Sequence, residues 1–233
     1  MLDSLTRDNL AQHVVRDFGR HGPRDARVTL VECDGRRAVL KDVRACSSLF
    51  RFTFGRRLIA REFRIYQALD GVPGVPRPGR LLDKDAFLVE YIDGSFLSRR
   101  DVRRGIVRLT NETYDACFRL VDELHRRGIV HLDLRNKRNF VFDKDLRPHV
   151  VDFASAVRVP RWAPLRPTVI RWLGVFDRAG VLKMKNHLSR ALLSDDEKTF
   201  LRRFDRTRSI LFPCGWLARA IRRWKRAPRR HAK

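Results

Sequence analysis

The hydrophobic and polar positions of the first 93 residues form short runs separated by turn signals, which predicts a small sheet with few helices. Asp34-Gly35 lies between two strand-like runs and favours a tight hairpin. Gly and Pro residues between 71 and 78 end a helical pattern and predict a stiff connection. The predicted elements are a helix at 3–17, strands at 28–32 and 37–41, a helix at 56–69 and a strand at 86–92.

The pattern changes after residue 93, where helical periodicity dominates. A helix is predicted at 112–127, and Gly128 follows it at the position that glycine favours after a helix. Strand-like pieces at 139–142 and 149–153 flank a turn, and the chain beyond them is predicted to be mostly helical. The sequence therefore predicts an α+β protein with two lobes, a β-rich N-lobe at 1–93 and a compact helical C-lobe at 94–233.

Composition adds a strong positive charge, since 51 Lys and Arg face 27 Asp and Glu, for a formal net charge of +24. Such a charge favours nucleic acid, an anionic membrane surface or phosphorylated substrates as partners. The four cysteines form no CxxC pair, so neither a disulfide framework nor a zinc site is expected. With no signal-peptide pattern and no apolar run of about 20 residues, we expect the protein on the cytoplasmic side.

The segment 131–139 reads HLDLRNKRN, and 151–154 reads VDFA. These segments resemble the HRDLK catalytic loop and the DFG motif of the protein-kinase superfamily. The resemblance implies ATP and Mg²⁺ as cofactors. It implies that Asp133 orients the proton of an acceptor hydroxyl and that Arg135 contacts the transferring phosphate. It also implies that Asn139 and Asp152 bind Mg²⁺.

The same resemblance extends upstream of residue 93. Lys41, at the end of the run AVLK, is similar to the strand lysine that pairs with the α- and β-phosphates, and Glu62 to its ion-pair partner. Glu90 and Tyr91 would lie at the hinge, where backbone groups meet adenine. No GxGxxG loop is present, and the segment 19–24 is a weak candidate for covering the phosphates.

Three departures separate the chain from typical protein kinases. Asn139 follows Asp133 by six positions instead of five, so that Asn136 is a competing metal ligand. Ala154 replaces the glycine of DFG, and no APE segment is recognisable. The chain is closer in style to the bacterial RIO-like and lipopolysaccharide-core (Kdo or heptose) kinase-like families. That resemblance implies transfer of phosphate to a sugar or glycolipid hydroxyl at the cytoplasmic membrane face.

Each candidate residue also has a purely structural interpretation. Asp133 is also typical of a solvated turn, Asp152 of a turn cap, and Glu62 of a surface salt bridge. His131 is expected to form structural hydrogen bonds instead of acting in catalysis. The competing functions are a RIO-like serine/threonine protein kinase or ATPase, and a pseudokinase scaffold without catalysis.

Two basic regions bear on location and acceptor. Segment 214–226 alternates Trp and aliphatic residues with Arg and Lys at helical spacing, which is typical of a helix lying on an anionic leaflet. Packing on the C-lobe is the main alternative, and nucleic acid binding is less favoured. A second cluster would border the acceptor cleft and bind a phosphorylated or carboxylated glycolipid there, or else be ordinary surface charge. It consists of Arg158, Arg161, Arg166 and Arg171, with Trp162 and Trp172 among them.

Overall fold

The computed structural model of the chain describes residues 4–19, 22 and 25–211. They form a mixed α+β structure whose largest sheet has five antiparallel strands in the order β1-β2-β3-β5-β4. The strands of this sheet are β1 Val14–Asp17, β2 Arg27–Cys33, β3 Arg36–Asp42, β4 Pro78–Leu81 and β5 Ala86–Glu90. Its helical neighbours are α1 Ser48–Phe50, a π-helical turn Arg51–Gly55 and α2 Arg56–Ala68.

The predicted hairpin is confirmed, with β2 and β3 paired in full register from Arg27↔Asp42 to Cys33↔Arg36. Asp34 and Gly35 both have positive φ, 51° and 69°, as the favoured two-residue hairpin turn requires. The tight turn therefore fixes which side chains of β3 face the core, and it places Ala38 and Leu40 inside and Lys41 at the edge of the interior.

The predicted helix at 3–17 is wrong. A 3₁₀ turn at Leu10–His13 leads into β1, which pairs with the free edge of β2. The β-branched Val14 and Val15 suit an extended edge strand better than a helix. Sequence analysis also missed β4, whose Pro78 is tolerated because it begins an edge strand.

Helix α2 packs on the sheet through aromatic side chains. The Phe63 ring lies 5.7 Å and the Tyr66 ring 5.9 Å from the ring of Phe87 on β5. All three side chains are buried. The apolar face predicted from periodicity therefore forms the contact that holds α2, and with it Glu62, over the end of β3.

The second part of the chain is built around two long helices, α4 and α5, and two short antiparallel strand pairs. Gly128 has a φ of 82° and follows α4 as predicted. The helices are α3 Arg99–Arg103, α4 Asn111–Arg126, α5 Arg166–Leu188 and α6 Asp195–Leu211. The pairs are β6 Ile129–Val130 with β9 Val157–Arg158, and β7 Phe140–Phe142 with β8 Pro148–Val150. Short 3₁₀ turns lie at Lys137–Asn139, Phe153–Ser155 and Arg190–Leu192.

One hydrophobic cluster runs through both parts of the chain. It joins Phe63 and Phe87 of the sheet side to Leu124, Phe140 and Phe153 of the helical side. The two parts are also joined after β5, where Ser95 forms an isolated antiparallel bridge with Phe142 of β7. No helix within the described ranges is long and apolar enough to span a bilayer.

A close contact joins α5 to the segment that carries Asp133. A Cβ added to Gly180 would lie 2.7 Å from the carbonyl carbon of Leu134 and 3.0 Å from the amide nitrogen of Arg135. The absence of a side chain at Gly180 therefore lets the helix support the loop backbone directly.

Replacement of that glycine should displace the loop. A Gly180→Ala substitution gains about 1 kcal/mol of helix propensity but adds an overpacking cost of about 1–3 kcal/mol. We expect a net loss of about 1 kcal/mol, measurable as a lower urea midpoint at unchanged m-value. A stabilised variant would mean that helix propensity alone matters and that the contact is loose.

Candidate active site

A lysine between two carboxylates forms the centre of the site. The Lys41 Nζ atom donates to Glu62 Oε1 at 2.8 Å and to Asp152 Oδ1 at 2.7 Å. Lys41 comes from β3, Glu62 from α2 and Asp152 from the turn that follows β8, so three distant segments meet at one ammonium group. Glu62 is 2% exposed, which excludes the surface salt bridge considered for it.

Burial and neighbouring charges shift the pKa of each of these three groups. Burial would lower the pKa of Lys41, but Glu62 and Asp152 outweigh it and raise that pKa. Partial burial would raise the pKa of Asp152, but the charge of Lys41 outweighs this effect and lowers that pKa. Burial raises the pKa of Glu62, with Lys41 acting in the opposite direction. At neutral pH, Lys41 is therefore a fixed cation, and Asp152, with 47% of its side chain exposed, is a fixed anion facing solvent.

Asp133 and Asn139 are joined directly. The Asn139 Nδ2 atom donates to the backbone oxygen of Asp133 at 3.0 Å and to its Oδ2 at 3.1 Å. Asn136 Nδ2 in turn donates to Asn139 Oδ1 at 3.2 Å. The extra residue before Asn139 is taken up in a 3₁₀ turn at Lys137–Asn139, so the amide still reaches Asp133.

Backbone contacts bring Asp152 beside this loop. The Val151 amide donates to the Asn139 carbonyl at 2.9 Å, extending the pairing of β7 and β8. Asp152 has a φ of 65°, an uncommon conformation for a non-glycine residue, and its amide donates to the Tyr66 hydroxyl at 3.2 Å. The next side chain, Phe153, packs edge-on against the Tyr66 ring at 5.0 Å. Buried contacts on both sides hold the unusual backbone in place.

A buried carboxylate, which sequence analysis missed, clamps the start of the loop. Asp177 of α5 is fully buried, and its Oδ2 and Oδ1 accept from the amides of His131 at 2.8 Å and Leu132 at 2.7 Å. The Nε2 atom of His125 lies 3.0 Å from Asp177 Oδ2. Leu132 has a φ of 66°, so the clamp holds a left-handed residue immediately before Asp133.

His131 is buried beneath the site, in agreement with a structural role. Its Nε2 atom lies 3.2 Å from the Val151 carbonyl, and its ring lies 4.9 Å from that of Phe153. Burial lowers the pKa of His131, so the ring is neutral near pH 7. In the neutral form with the proton on Nε2, the ring links the loop at 131–139 to the segment at 151–154.

The other predicted site residues lie on β5, on the segment that follows it and on the loop at 131–139. Glu90 ends β5, and its Oε2 accepts from the Arg77 amide at 2.9 Å, so its carboxylate supports β4. Tyr91 follows it on the path from β5 to the Ser95–Phe142 bridge, between the sheet and β7. Arg135 lies two residues after Asp133 on the same loop. Arg61 of α2 donates to the Ala154 carbonyl, a second link between that helix and the 151–154 segment.

The two residues predicted to bind a metal offer different types of oxygen. Asp152 offers a carboxylate with substantial exposure, and Asn139 an amide oxygen that now accepts from Asn136. Oxygen ligands of these types suit Mg²⁺ when a nucleotide supplies further phosphate oxygens. Among the described residues, no group of three or more His, Cys, Asp or Glu side chains is arranged to hold a metal without such help.

Two predicted regions cannot be placed. Of the segment 19–24, only Gly19 and Gly22 are among the described residues, and segment 214–226 lies wholly outside them. Cys214 also lies outside, whereas Cys33, Cys46 and Cys117 are buried free thiols.

The Lys41–Glu62 contact gives a direct prediction. A Glu62→Gln substitution should keep the shape of the site but remove the charge that positions Lys41. Hydrogen bonds to charged groups contribute about 1.5–3 kcal/mol, so if the site binds Mg-ATP, we expect its affinity to fall roughly tenfold or more. Titration calorimetry measures this, and Glu32→Gln is the matched control because Glu32 pairs with Arg37 on the exposed side of the hairpin. Equal affinity for the two variants would contradict a role for Glu62 in nucleotide binding.

Comparison with models of known protein families finds no family that matches the chain, and no curated protein matches it in sequence. Support for any function therefore has to come from the chemistry of the site itself.

Proposed function

We propose that the protein is an ATP-dependent phosphotransferase that moves the γ-phosphate of ATP to a hydroxyl of a sugar or glycolipid at the cytoplasmic membrane face. The observation that supports this is the joining of Lys41, Glu62 and Asp152 through one ammonium group. Phosphoryl transfer depends mainly on positioning and charge neutralisation, and these residues supply fixed charges of both signs.

Each residue then has a defined role in the proposal. Lys41, held by Glu62, contacts the α- and β-phosphates and gives up part of its contact with Asp152 when nucleotide enters. Asp152 and Asn139 would hold Mg²⁺, which would supply positive charge beside the phosphates of the nucleotide. Asp133 accepts a hydrogen bond from the attacking hydroxyl and takes its proton, while Arg135 neutralises the phosphate being transferred.

The fold is compatible with this assignment. We assign 1–93 to an N-lobe that binds nucleotide and 94–233 to a C-lobe that carries Asp133 and the metal ligands. Glu90 and Tyr91 then lie in the connection, where backbone groups of 90–92 would meet adenine. The five-stranded sheet with α2 in the first part of the chain, followed by the α4–α5 pair in the second part, supports that division.

A sugar or glycolipid acceptor is favoured over a protein by two features. The sequence resembles lipopolysaccharide-core kinases more closely than regulated protein kinases, since it has no APE segment and carries Ala154 after Phe153. A formal net charge of +24 also suits an anionic acceptor or the surface that carries it.

Labelled ATP identifies the acceptor class. Purified protein, Mg-ATP labelled on the γ-phosphate and a membrane extract are incubated together, and the products are partitioned between organic, aqueous and protein fractions. We expect label in the lipid or sugar fraction. Lys41→Met should abolish it, whereas Lys84→Met, which removes an exposed lysine next to β5, should not.

Other outcomes separate the alternatives. Label on protein would favour a RIO-like protein kinase, and release of inorganic phosphate alone would favour an ATPase. A failure to bind Mg-ATP in a thermal-shift titration would leave a pseudokinase scaffold as the better explanation and overturn the proposal.

A further inference from the structure

A cavity rich in arginine lies beside the strand pair β6–β9, and none of the candidate active-site residues lines it. Its volume is about 290 Å³. It is lined by Ala68, Arg126, Arg127, Arg158, Val159, Arg161 and Arg166.

The positive charge of this cavity is mostly uncompensated. Glu123 pairs with Arg126 at 2.7 Å and with Arg127 at 3.0 Å, so one carboxylate serves two guanidinium groups. Among the residues that the structure describes, no carboxylate lies within ion-pair distance of Arg158, Arg161 or Arg166. Five arginines around one small volume form a strong site for an anion with several oxygens.

Backbone geometry shapes the wall of the cavity. Arg166 donates from Nε to the Val159 carbonyl at 3.4 Å and from Nη2 to the Arg126 carbonyl at 3.5 Å. Its guanidinium lies against Gly128, where a Cβ would collide with Nη2. The glycine after α4 therefore leaves space for this arginine as well as ending the helix.

Exposed apolar side chains begin next to the cavity. Trp162 follows Arg161 and is 84% exposed, and Leu165 precedes Arg166 and is 73% exposed. Val169 and Trp172, which is 60% exposed, continue from Leu165 at the i+4 and i+7 positions of α5. Large apolar side chains in a row, flanked by arginines, are typical of surfaces that enter the polar–apolar boundary of a bilayer.

We infer that this face docks the protein on an anionic bilayer, with a phosphorylated lipid headgroup in the arginine cavity and Trp162, Leu165 and Trp172 inserted among the lipids. The charge of the cavity selects phosphate, and the exposed tryptophans select an interface instead of a free anion. The inference deepens the proposed function and rests on it only for placing the protein at a membrane. Docking itself needs no ATP.

Docking at this face would place the candidate active site near the membrane. Ile129 of β6 pairs with Arg158 of β9, and Asp133 follows Ile129 by four residues. Since consecutive Cα atoms are 3.8 Å apart, the backbone at Asp133 lies at most about 15 Å from the backbone at Ile129. The loop that carries Asp133 therefore begins next to the wall of the cavity.

Vesicle sedimentation without nucleotide tests the cavity. The full chain is mixed with vesicles of phosphatidylcholine, with or without phosphatidylglycerol. We expect binding only to the anionic vesicles, and the double variant Arg158→Gln and Arg161→Gln should weaken it roughly 30-fold, since each arginine at the surface contributes about fivefold. The matched control is Arg99→Gln with Arg100→Gln, which removes two exposed charges from α3 and should weaken binding at most about threefold.

Tryptophan fluorescence tests whether the exposed Trp162 and Trp172 enter the bilayer. The four tryptophans are Trp162, Trp172, Trp216 and Trp224, and the last two lie outside the described residues. In a Trp216→Phe and Trp224→Phe background, all tryptophan emission comes from the proposed face. We expect a blue shift on addition of anionic vesicles.

Equal loss of binding in the cavity variant and the Arg99/Arg100 control, or no blue shift in that background, would overturn the inference. Binding of inorganic pyrophosphate to the cavity with vesicle binding unchanged in the cavity variant would also overturn it, and would identify a soluble anion as the ligand. Because these assays contain no ATP, their outcome is distinguishable from failure of the phosphotransferase proposal.

Discussion

An Asp133→Asn substitution should lower phosphotransfer by a factor of about 10²–10⁴, the usual contribution of a positioned general base, while the protein remains folded. The amide has nearly the same shape as the carboxylate and can still accept from Asn139 Nδ2 through its oxygen. It cannot take a proton from an attacking hydroxyl at neutral pH. Binding of Mg-ATP should change little, because Lys41 and Asp152 lie on other segments.

The measurement is the rate of label transfer to the fraction identified with the natural protein, together with the Mg-ATP dissociation constant. Asp145→Asn is the control, because Asp145 is an aspartate in an exposed turn between β7 and β8. Undiminished transfer by Asp133→Asn would exclude Asp133 as the base. Loss of both transfer and nucleotide binding would instead indicate that Asp133 supports the structure of the site.

Local patterns predicted the elements whose sequence signals agree with their packing. The Asp34-Gly35 turn, the apolar face of α2 and the glycine after α4 each act within a few residues, and each is where it was expected. The edge strands β1 and β4 were missed because their pairing depends on a distant partner. Val14 to Asp17 becomes a strand only because the edge of β2 is open to it.

In the candidate site, too, the contacts with a local sequence motif were predicted, and the contacts that depend on a distant partner were missed. Lys41 and Glu62 are 21 residues apart, and they form the ion pair that the resemblance implied. The contact of Lys41 with Asp152, 111 residues away, was not predicted. The Asn139 side chain donates to the Asp133 carboxylate, whereas Asn136 donates to the Asp133 carbonyl through its backbone amide and to Asn139 through its side chain.

Asp177 had no signal in the sequence that distinguishes it from other acidic residues. It lies 44 residues after Asp133, on a helix predicted only as part of a basic helical region. Its function becomes visible from burial, since a fully buried carboxylate needs partners and finds them in two backbone amides and His125. A buried carboxylate that accepts from two consecutive backbone amides supports a loop. Local periodicity in the sequence does not reveal such a contact.

Replacement of Asp177 should therefore lower the free energy of unfolding more than Gly180→Ala does. In Asp177→Asn the volume is kept, but an NH₂ group replaces one of the oxygens that accept from the amides of His131 and Leu132. Leaving buried donors without a charged acceptor costs about 3 kcal/mol, which corresponds to a Tm lower by roughly 6–12 °C in a chain of this size.

Calorimetric melting of the two proteins checks this, with Asp122→Asn as the control. Asp122 pairs with Arg178 at 3.0 Å, but the aspartate side chain is 57% exposed, and an exposed pair contributes under about 1 kcal/mol. The Asp177 variant should also lose phosphotransfer beyond what its stability explains, because Leu132 keeps its left-handed backbone only while its amide is held. An unchanged Tm would mean that the loop is supported without the clamp, and normal transfer in a destabilised variant would mean that Asp177 serves the fold and not the position of Asp133.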